Sequence, residues 1–199
     1  VDVSERDFMY TYMPAFEGTI KESKAYSLMG AYNRFRGESC SGSDTLLNKI
    51  LREQWGFDGY VVSDCGAIDD IYLNHKIVPT GAEAAAIGVL NGCDLECGRT
   101  YNYLSEAVER GLLTEKDIDV AVKRLFTARM KLGMFDPVGK NPYDNIPYSV
   151  NDSEKHRELS AEVARETMTL LKNKDNILPL RKDIKSIAVL GPNSNDPVV

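Results

Sequence analysis

A single aspartate, Asp64, ends a short apolar stretch in the first half of this 199-residue sequence. Asp64 follows the apolar residues 60–62 and Ser63, and the small residues Gly66 and Ala67 behind it leave room for a ligand. A carboxylate held at the end of a buried strand can act as a nucleophile, a general base or a metal ligand. The same position also suits a helix N-cap or a structural partner for an arginine, so both interpretations stay open.

Two neighbouring stretches of the same kind also end in polar or sulfur-containing side chains. These further candidates are Met29, Tyr32, Asn33, Asp94 and Glu96. A methionine there more often packs in a core than contacts a ligand. Asp64, Asp94 and Glu96 together could hold a hard cation, but nothing in the sequence fixes the distances between them.

The four cysteines and two histidines do not make a zinc motif. Cys93 and Cys97 have the spacing of a metal pair, but no second close Cys or His pair completes it. His75 and His156 are isolated. We therefore predict free thiols or at most one disulfide, and no metal site at these cysteines.

Three predicted strands position the candidate residues. They cover residues 26–32, 60–63 and 94–97, and their ends near Tyr32, Asp64 and Glu96 are 32 residues apart. Predicted helices starting near Asp44 and Gly81 separate them, and two more follow, one ending at Gly111 and one starting at Thr114. A (β/α)₈ barrel uses about 31 residues per unit, so the spacing predicts consecutive barrel units with reactive groups at the carboxyl ends of the strands. Three units cannot close a barrel.

The chain changes character after residue 134. Turn residues without periodicity predict a linker over residues 135–152. Ser153 then caps a predicted helix, and the apolar run Ile187–Leu190 predicts a strand. Residues 153–199 therefore look like the start of a second α/β domain. Both ends of the chain look cut, so we expect a piece of a longer protein.

Composition narrows the partners. The chain is 43% hydrophobic and 27% charged, with a net charge of −6 and no basic stripe, so nucleic acid is an unexpected partner. No apolar run has the length of a membrane span.

Several spaced motifs resemble glycoside hydrolase family 3. They are residues 27–33 with Gly37, Trp55–Asp64, Gly92–Gly98, Leu132–Phe135, Thr169–Asn173, Ile177–Leu180 and Ile187–Asn193. The resemblance covers nearly the whole chain. It implies the C-terminal part of a TIM-type (β/α)₈ barrel over residues 1–134, the linker 135–152, and the start of an α/β sandwich domain over 153–199.

The resemblance also implies an activity, that of a retaining exo-β-glycosidase acting on terminal β-linked xylose or glucose without a cofactor. Asp64 would be the nucleophile. Tyr32 and Met29 would lie beside the sugar, with Asn33 and Glu96 as weaker candidate contacts. The acid/base and other sugar-binding residues would come from missing N- and C-terminal parts of the same polypeptide, so the isolated piece should be inactive.

Cys65 departs from the tryptophan that many β-glucosidases of the family carry after the nucleophile. This looks like the β-xylosidase-like branch, in which the resemblance pairs Cys40 with Cys65 in a disulfide. It also favours a secreted or periplasmic protein. Two alternatives remain: a non-catalytic carbohydrate-binding relative, and a metal-dependent barrel enzyme using Asp64, Asp94 and Glu96. The choice among xylose, glucose and arabinose is open.

Overall fold

The computed structural model describes residues 2–195, which fall into two compact units, Val1–Asp144 and Asn145–Val199. The boundary lies inside the segment for which the sequence predicts a linker. No helix among the described residues is long and apolar enough to cross a bilayer.

The first unit is built around parallel strands. Strand β1, Ser27–Gly30, pairs in parallel with β4, Tyr60–Ser63, and the register runs from Ser27 opposite Tyr60 to Gly30 opposite Ser63. Between them, β2 (Arg34–Phe35) and β3 (Glu38–Ser39) form a small antiparallel hairpin. Leu95 adds one parallel bridge to Val62. The predicted order of the parallel segments is therefore found, but the third is a single bridge and not a strand.

Helices connect the parallel segments. A helix with wide π-type hydrogen bonds, Asp44–Gln54, leads from the hairpin to β4, and an α-helix, Gly81–Leu90, leads from β4 to Leu95. The sequence predicts Asp44 as the cap of the first, but the Ser43 hydroxyl accepts the Leu46 N–H at 3.0 Å instead. Asp44 lies in the first turn, where a negative charge still favours the helix.

The remaining helices include short ones, Cys40–Gly42 and Asp69–Leu73, in segments for which the sequence predicts loops. Near the N-terminus a short α-helix, Glu5–Asp7, capped by Ser4, runs through a π-type turn, Phe8–Tyr12, into an α-helix, Met13–Lys21. Pro14 lies at the start of that last helix, where its missing N–H costs no hydrogen bond. The others are Cys40–Gly42, Asp69–Leu73, Thr100–Tyr103, Leu104–Glu109, Glu115–Lys131 and Pro142–Asn145.

Large apolar side chains around β4 form the core. Val61, Ile68 and Ile71 are completely buried, and the helix Gly81–Leu90 packs its alanines tightly, since Ala84 and Ala85 are also completely buried. Small side chains let this helix approach the strands closely. The core therefore packs around β4, the strand that directly precedes Asp64.

The buried thiol of Cys93 gives a test of this packing. Burial raises its pKa to about 12, so roughly one thiol in 10⁴ is ionised at pH 8. We expect alkylation by iodoacetamide to be roughly 10³-fold slower than for an unfolded cysteine, measured by mass spectrometry of the native protein. Reaction should become fast in denaturant, and rapid labelling of Cys93 in the native protein would contradict the packing described.

The second unit contains less regular structure. An α-helix, Glu154–Thr167, begins after Ser153 as predicted, and short 3₁₀ turns cover Tyr148–Val150 and Lys174–Asn176. The predicted strand Ile187–Leu190 is wrong for this structure, since no strand forms there within residues 2–195. A strand requires a hydrogen-bonded neighbour, and Ile187, Val189 and Leu190 remain exposed.

Candidate active site

Asp64 lies where the parallel strands end. Its backbone N–H donates to the Gly30 carbonyl at 3.1 Å, which extends the β1–β4 pairing by one residue, and its own carbonyl accepts the Ala67 N–H at 3.0 Å as the chain turns. The side chain is half-buried, and its Oδ1 accepts the Cys65 backbone N–H at 2.7 Å. The carboxylate is thus oriented by the backbone at the carboxyl edge of the strands.

Tyr32 is the candidate that the structure brings to Asp64. Its hydroxyl donates to the Cys65 carbonyl at 2.8 Å. The adjacent Asp64 carboxylate is the main cause that raises the pKa of the Tyr32 phenol. The two ends of neighbouring parallel strands therefore form one polar cluster, as the barrel rule predicts.

Met29 and Asn33 both line an apolar cavity of about 320 Å³ beside β1. The Met29 side chain is largely exposed, and the Asn33 amide donates to the Cys40 sulfur at 3.6 Å. Their predicted contact with a sugar stays a prediction.

Glu96 caps a turn. Its Oε1 accepts the Thr100 N–H at 2.8 Å and its Oε2 accepts the Tyr101 N–H at 2.5 Å. Both carboxylate oxygens thereby hold the start of the 3₁₀ helix Thr100–Tyr103. The predicted contact of Glu96 with a sugar stays a prediction, and the structure gives this side chain a capping role.

The structure contradicts the three-carboxylate metal site. Asp94 is buried, its Oδ2 lies 2.6 Å from Arg52 Nη2, and its Oδ1 lies 2.9 Å from Arg124 Nη1. The same Oδ2 accepts the Val61 N–H at 2.8 Å. Because its oxygens face arginines and backbone, Asp94 does not join Asp64 and Glu96, and residues 2–195 contain no cluster of His, Cys, Asp and Glu suited to a metal ion.

The expected disulfide between Cys40 and Cys65 is also wrong. Cys65 is bonded to Cys97, and Cys40 is free. The pairing follows from the parallel register, because Cys97 N–H donates to the Ser63 hydroxyl at 3.1 Å and Gly66 N–H donates to the Cys97 carbonyl at 2.7 Å. A signal was present in the sequence, since Cys65 and Cys97 are separated by 32 residues, the same interval as the strand ends.

A carboxylate at the end of a parallel strand lies where barrel enzymes carry their active sites. The comparison with known families makes this specific: residues 1–128 match the model of the glycosyl hydrolase family 3 N-terminal domain. The chain belongs to this family of glycoside hydrolases. The expectation of an α/β fold of the TIM-barrel type is confirmed at this level.

Relatives and solved structures agree with this assignment. The chain is 45% identical to a xylan 1,4-beta-xylosidase of Xylanibacter ruminicola over 100% of its own length and 23% of the relative. It is 40% identical to a probable exo-1,4-beta-xylosidase of Aspergillus clavatus, covering 97% of this chain and 25% of the relative. It is similar to a family 3 exo-beta-xylosidase structure with a xylobiose aziridine probe (TM-score 0.76, 33% identity, 92% of this chain and 24% of that one). It is also similar to a beta-glucosidase of Listeria innocua in complex with glucose (TM-score 0.71, 30% identity, 90% and 24%). The chain therefore spans about a quarter of the relatives' length.

Proposed function

We propose that this chain carries the nucleophile, Asp64, of a retaining exo-β-glycosidase that releases terminal β-linked xylose or glucose. The observation that carries the proposal is the Asp64 carboxylate at the strand ends, oriented by the Cys65 N–H and adjacent to the Tyr32 hydroxyl. Family membership and the names of the relatives support the substrate class, and xylose is favoured because the curated relatives cited above are xylosidases.

The chemistry assigns one role to each group. Asp64 Oδ attacks C1 of the sugar and forms a glycosyl ester while the C1–O bond to the leaving group breaks and that oxygen takes a proton from an acid. Water then attacks C1, the ester bond breaks, and the proton passes to the same acid/base group. The Cys65 N–H holds the carboxylate in place for attack, with the Tyr32 hydroxyl beside it.

The acid/base group is assigned to another part of a longer polypeptide. A retaining pair needs two carboxyl groups about 5–5.5 Å apart. Glu96 uses both carboxylate oxygens as caps and Asp94 is paired with arginines, so we assign this role to neither. We assign residues 1–134 to the barrel, 135–152 to a linker and 153–199 to the start of a sandwich domain. The 199-residue chain alone should give little or no turnover of an aryl β-xyloside.

The disulfide supports a proposal for the location of the protein. Disulfides persist in oxidising compartments and are rare in the cytosol. Because Cys65 and Cys97 are exposed and bonded to each other, we propose a secreted or periplasmic protein.

Covalent trapping tests the proposed nucleophile. A 2-deoxy-2-fluoro-β-xyloside with a good leaving group should form a stable ester with the full-length protein. The fluorine slows both formation and hydrolysis of the ester, and the good leaving group restores the rate of formation alone, so the ester accumulates. Peptide mass spectrometry should place the added fluoroxylosyl mass on Asp64. The Asp64→Asn variant should not be labelled. A wild-type protein that binds xylose but is never labelled would instead be a non-catalytic carbohydrate-binding relative.

A further inference from the structure

We propose that Asp94 is a positioning residue for the reaction assigned to Asp64: it fixes the register between β4 and the segment 94–97, and thereby sets where the Asp64 carboxylate stands. This inference rests on the proposed function. Asp94 lies below Asp64 along the strands and touches neither a substrate nor the Asp64 side chain, so it acts through the backbone.

Asp94 and Leu95 together bind the backbone N–H and carbonyl of Val61, a residue of β4. The Asp94 carboxylate accepts the Val61 N–H at 2.8 Å. The backbone N–H groups of Asp94 and Leu95 both donate to the Val61 carbonyl, at 2.9 and 3.0 Å. Val61 is completely buried and lies three residues before Asp64. The position of this part of β4 relative to the segment 94–97 is therefore determined at Asp94.

Two arginines hold Asp94 in turn. Besides its ion pair with Asp94, Arg52 donates from Nη1 to the Gly59 carbonyl at 3.0 Å and from Nη2 to the Gly92 carbonyl at 3.2 Å. Gly59 precedes β4 and Gly92 precedes the segment 94–97, so one guanidinium joins the beginnings of both. Arg124, on the helix Glu115–Lys131, holds the other Asp94 oxygen.

The pairing between β4 and the segment 94–97 continues toward Asp64. Ser63 N–H donates to the Leu95 carbonyl at 2.9 Å, and Cys97 N–H donates to the Ser63 hydroxyl at 3.1 Å. The disulfide between Cys65 and Cys97 then joins the two segments covalently. Asp64 lies between the Ser63 contact and the disulfide, so its backbone is held from both sides.

The regular pairing is too short to define this register by itself. Val62 and Leu95 form the single bridge between the two segments within residues 2–195. A slip of one residue would turn each side chain of a strand to the opposite face. A buried charge that fits only one alignment opposes such a slip, because any other alignment would leave it without its partners.

The test uses the full-length protein and two variants. Asp94→Asn removes the buried charge. Arg124→Gln removes only the partly exposed ion pair of Asp94, and it replaces Asp94→Asn in the test if that variant does not fold. The control is Glu83→Gln, a half-buried carboxylate that caps the helix Gly81–Leu90, lies near Arg110, and makes no hydrogen bond to β4 among those found within residues 2–195. Rate and stoichiometry of labelling by the fluoroxyloside are measured together with kcat and KM, below the unfolding midpoint of every variant.

Displacement of a reacting group by about 1 Å can cost roughly 10²-fold in rate. We therefore expect Asp94→Asn to lower kcat and the labelling rate by about 10- to 100-fold, with KM within about threefold and labelling still stoichiometric. Arg124→Gln should change the same quantities by a smaller factor, and Glu83→Gln should leave them unchanged. A variant that is merely unstable would lower the labelled fraction instead of the rate.

Two outcomes would overturn the proposal, and they are distinguishable from failure of the proposed function. Wild-type rates in folded Asp94→Asn, or in Arg124→Gln when the first variant does not fold, would show that the network does not position Asp64. A wild-type protein that is not labelled at Asp64 would remove the proposed function, and the positioning role with it, before any variant is compared.

Discussion

Replacing Asp64 by alanine in the full-length protein is expected to lower kcat by roughly 10⁴-fold or more, the scale on which removal of a covalent nucleophile reduces turnover. The physical reason is that the first step then has no group that can bond to C1. The strand should keep its shape, because the backbone contacts of residue 64 with Gly30 and Ala67 do not involve the side chain. Initial rates on an aryl β-xyloside give the measurement.

A small external nucleophile distinguishes loss of the nucleophile from loss of the fold. Azide can enter the space that the carboxylate vacates and attack C1 from the same face, so a single displacement gives an α-glycosyl azide. We expect azide to restore part of the turnover of Asp64→Ala, with that product identified by NMR spectroscopy. It should not accelerate the wild type.

Asp58 provides the matched control for this experiment. It is an exposed aspartate that precedes β4 at the end opposite to Asp64. Asp58→Asn should keep kcat and KM within about twofold, since surface substitutions away from special features have small effects. Near-normal turnover in Asp64→Ala, or an azide effect as large in Asp58→Asn, would contradict the assignment of Asp64.

The parallel framework of the first unit could be predicted from local sequence. Apolar runs ending at a 32-residue interval and helices with recognisable starts predict where β1, β4 and the helix Gly81–Leu90 lie. These features depend on residues close together in the chain. The same interval also led to the cluster of Asp64 and Tyr32, because the ends of neighbouring parallel strands meet at one edge.

Contacts between distant residues could not be predicted in the same way. Asp94 was grouped with the strand-end carboxylates, but its partners are Arg52 and Arg124, which lie 42 and 30 residues away. Nothing local distinguishes these two arginines from the others in the chain. The Cys65 pairing is a different case: the choice between Cys40 and Cys97 depends on the register across the strands, and the 32-residue interval between Cys65 and Cys97 was the signal for it.

The strength of the buried network can be compared with an exposed pair on the same helix. Arg52 and Lys49 both lie on Asp44–Gln54, and their nitrogens lie 2.6 Å from Asp94 and 2.8 Å from Asp44. The Arg52 and Asp94 side chains are 10% and 1% exposed, whereas those of Lys49 and Asp44 are 59% and 41% exposed. The distances are similar, but Asp94 is buried and also binds Arg124 and the Val61 N–H, whereas the pair of Lys49 and Asp44 is exposed to water.

Arg52→Met should therefore reduce the free energy of unfolding by about 3–5 kcal/mol, the range for removing one partner of a buried ion pair. Part of this cost comes from the Gly59 and Gly92 carbonyls, which lose their donor. Lys49→Met should cost about 0–1 kcal/mol, because water and salt screen an exposed pair. Both variants place methionine on the same helix, so helix propensity is nearly matched. Denaturant unfolding followed by circular dichroism measures both values.

A double-mutant cycle separates the pair interaction from the other losses. Arg52→Met combined with Asp94→Leu should cost clearly less than the sum of the single variants, because the double variant leaves no unpaired charge at the Arg52–Asp94 contact. The cycle of Lys49→Met with Asp44→Leu should give a coupling below about 1 kcal/mol. Equal coupling energies in the two cycles would mean that burial adds nothing to the Arg52–Asp94 contact.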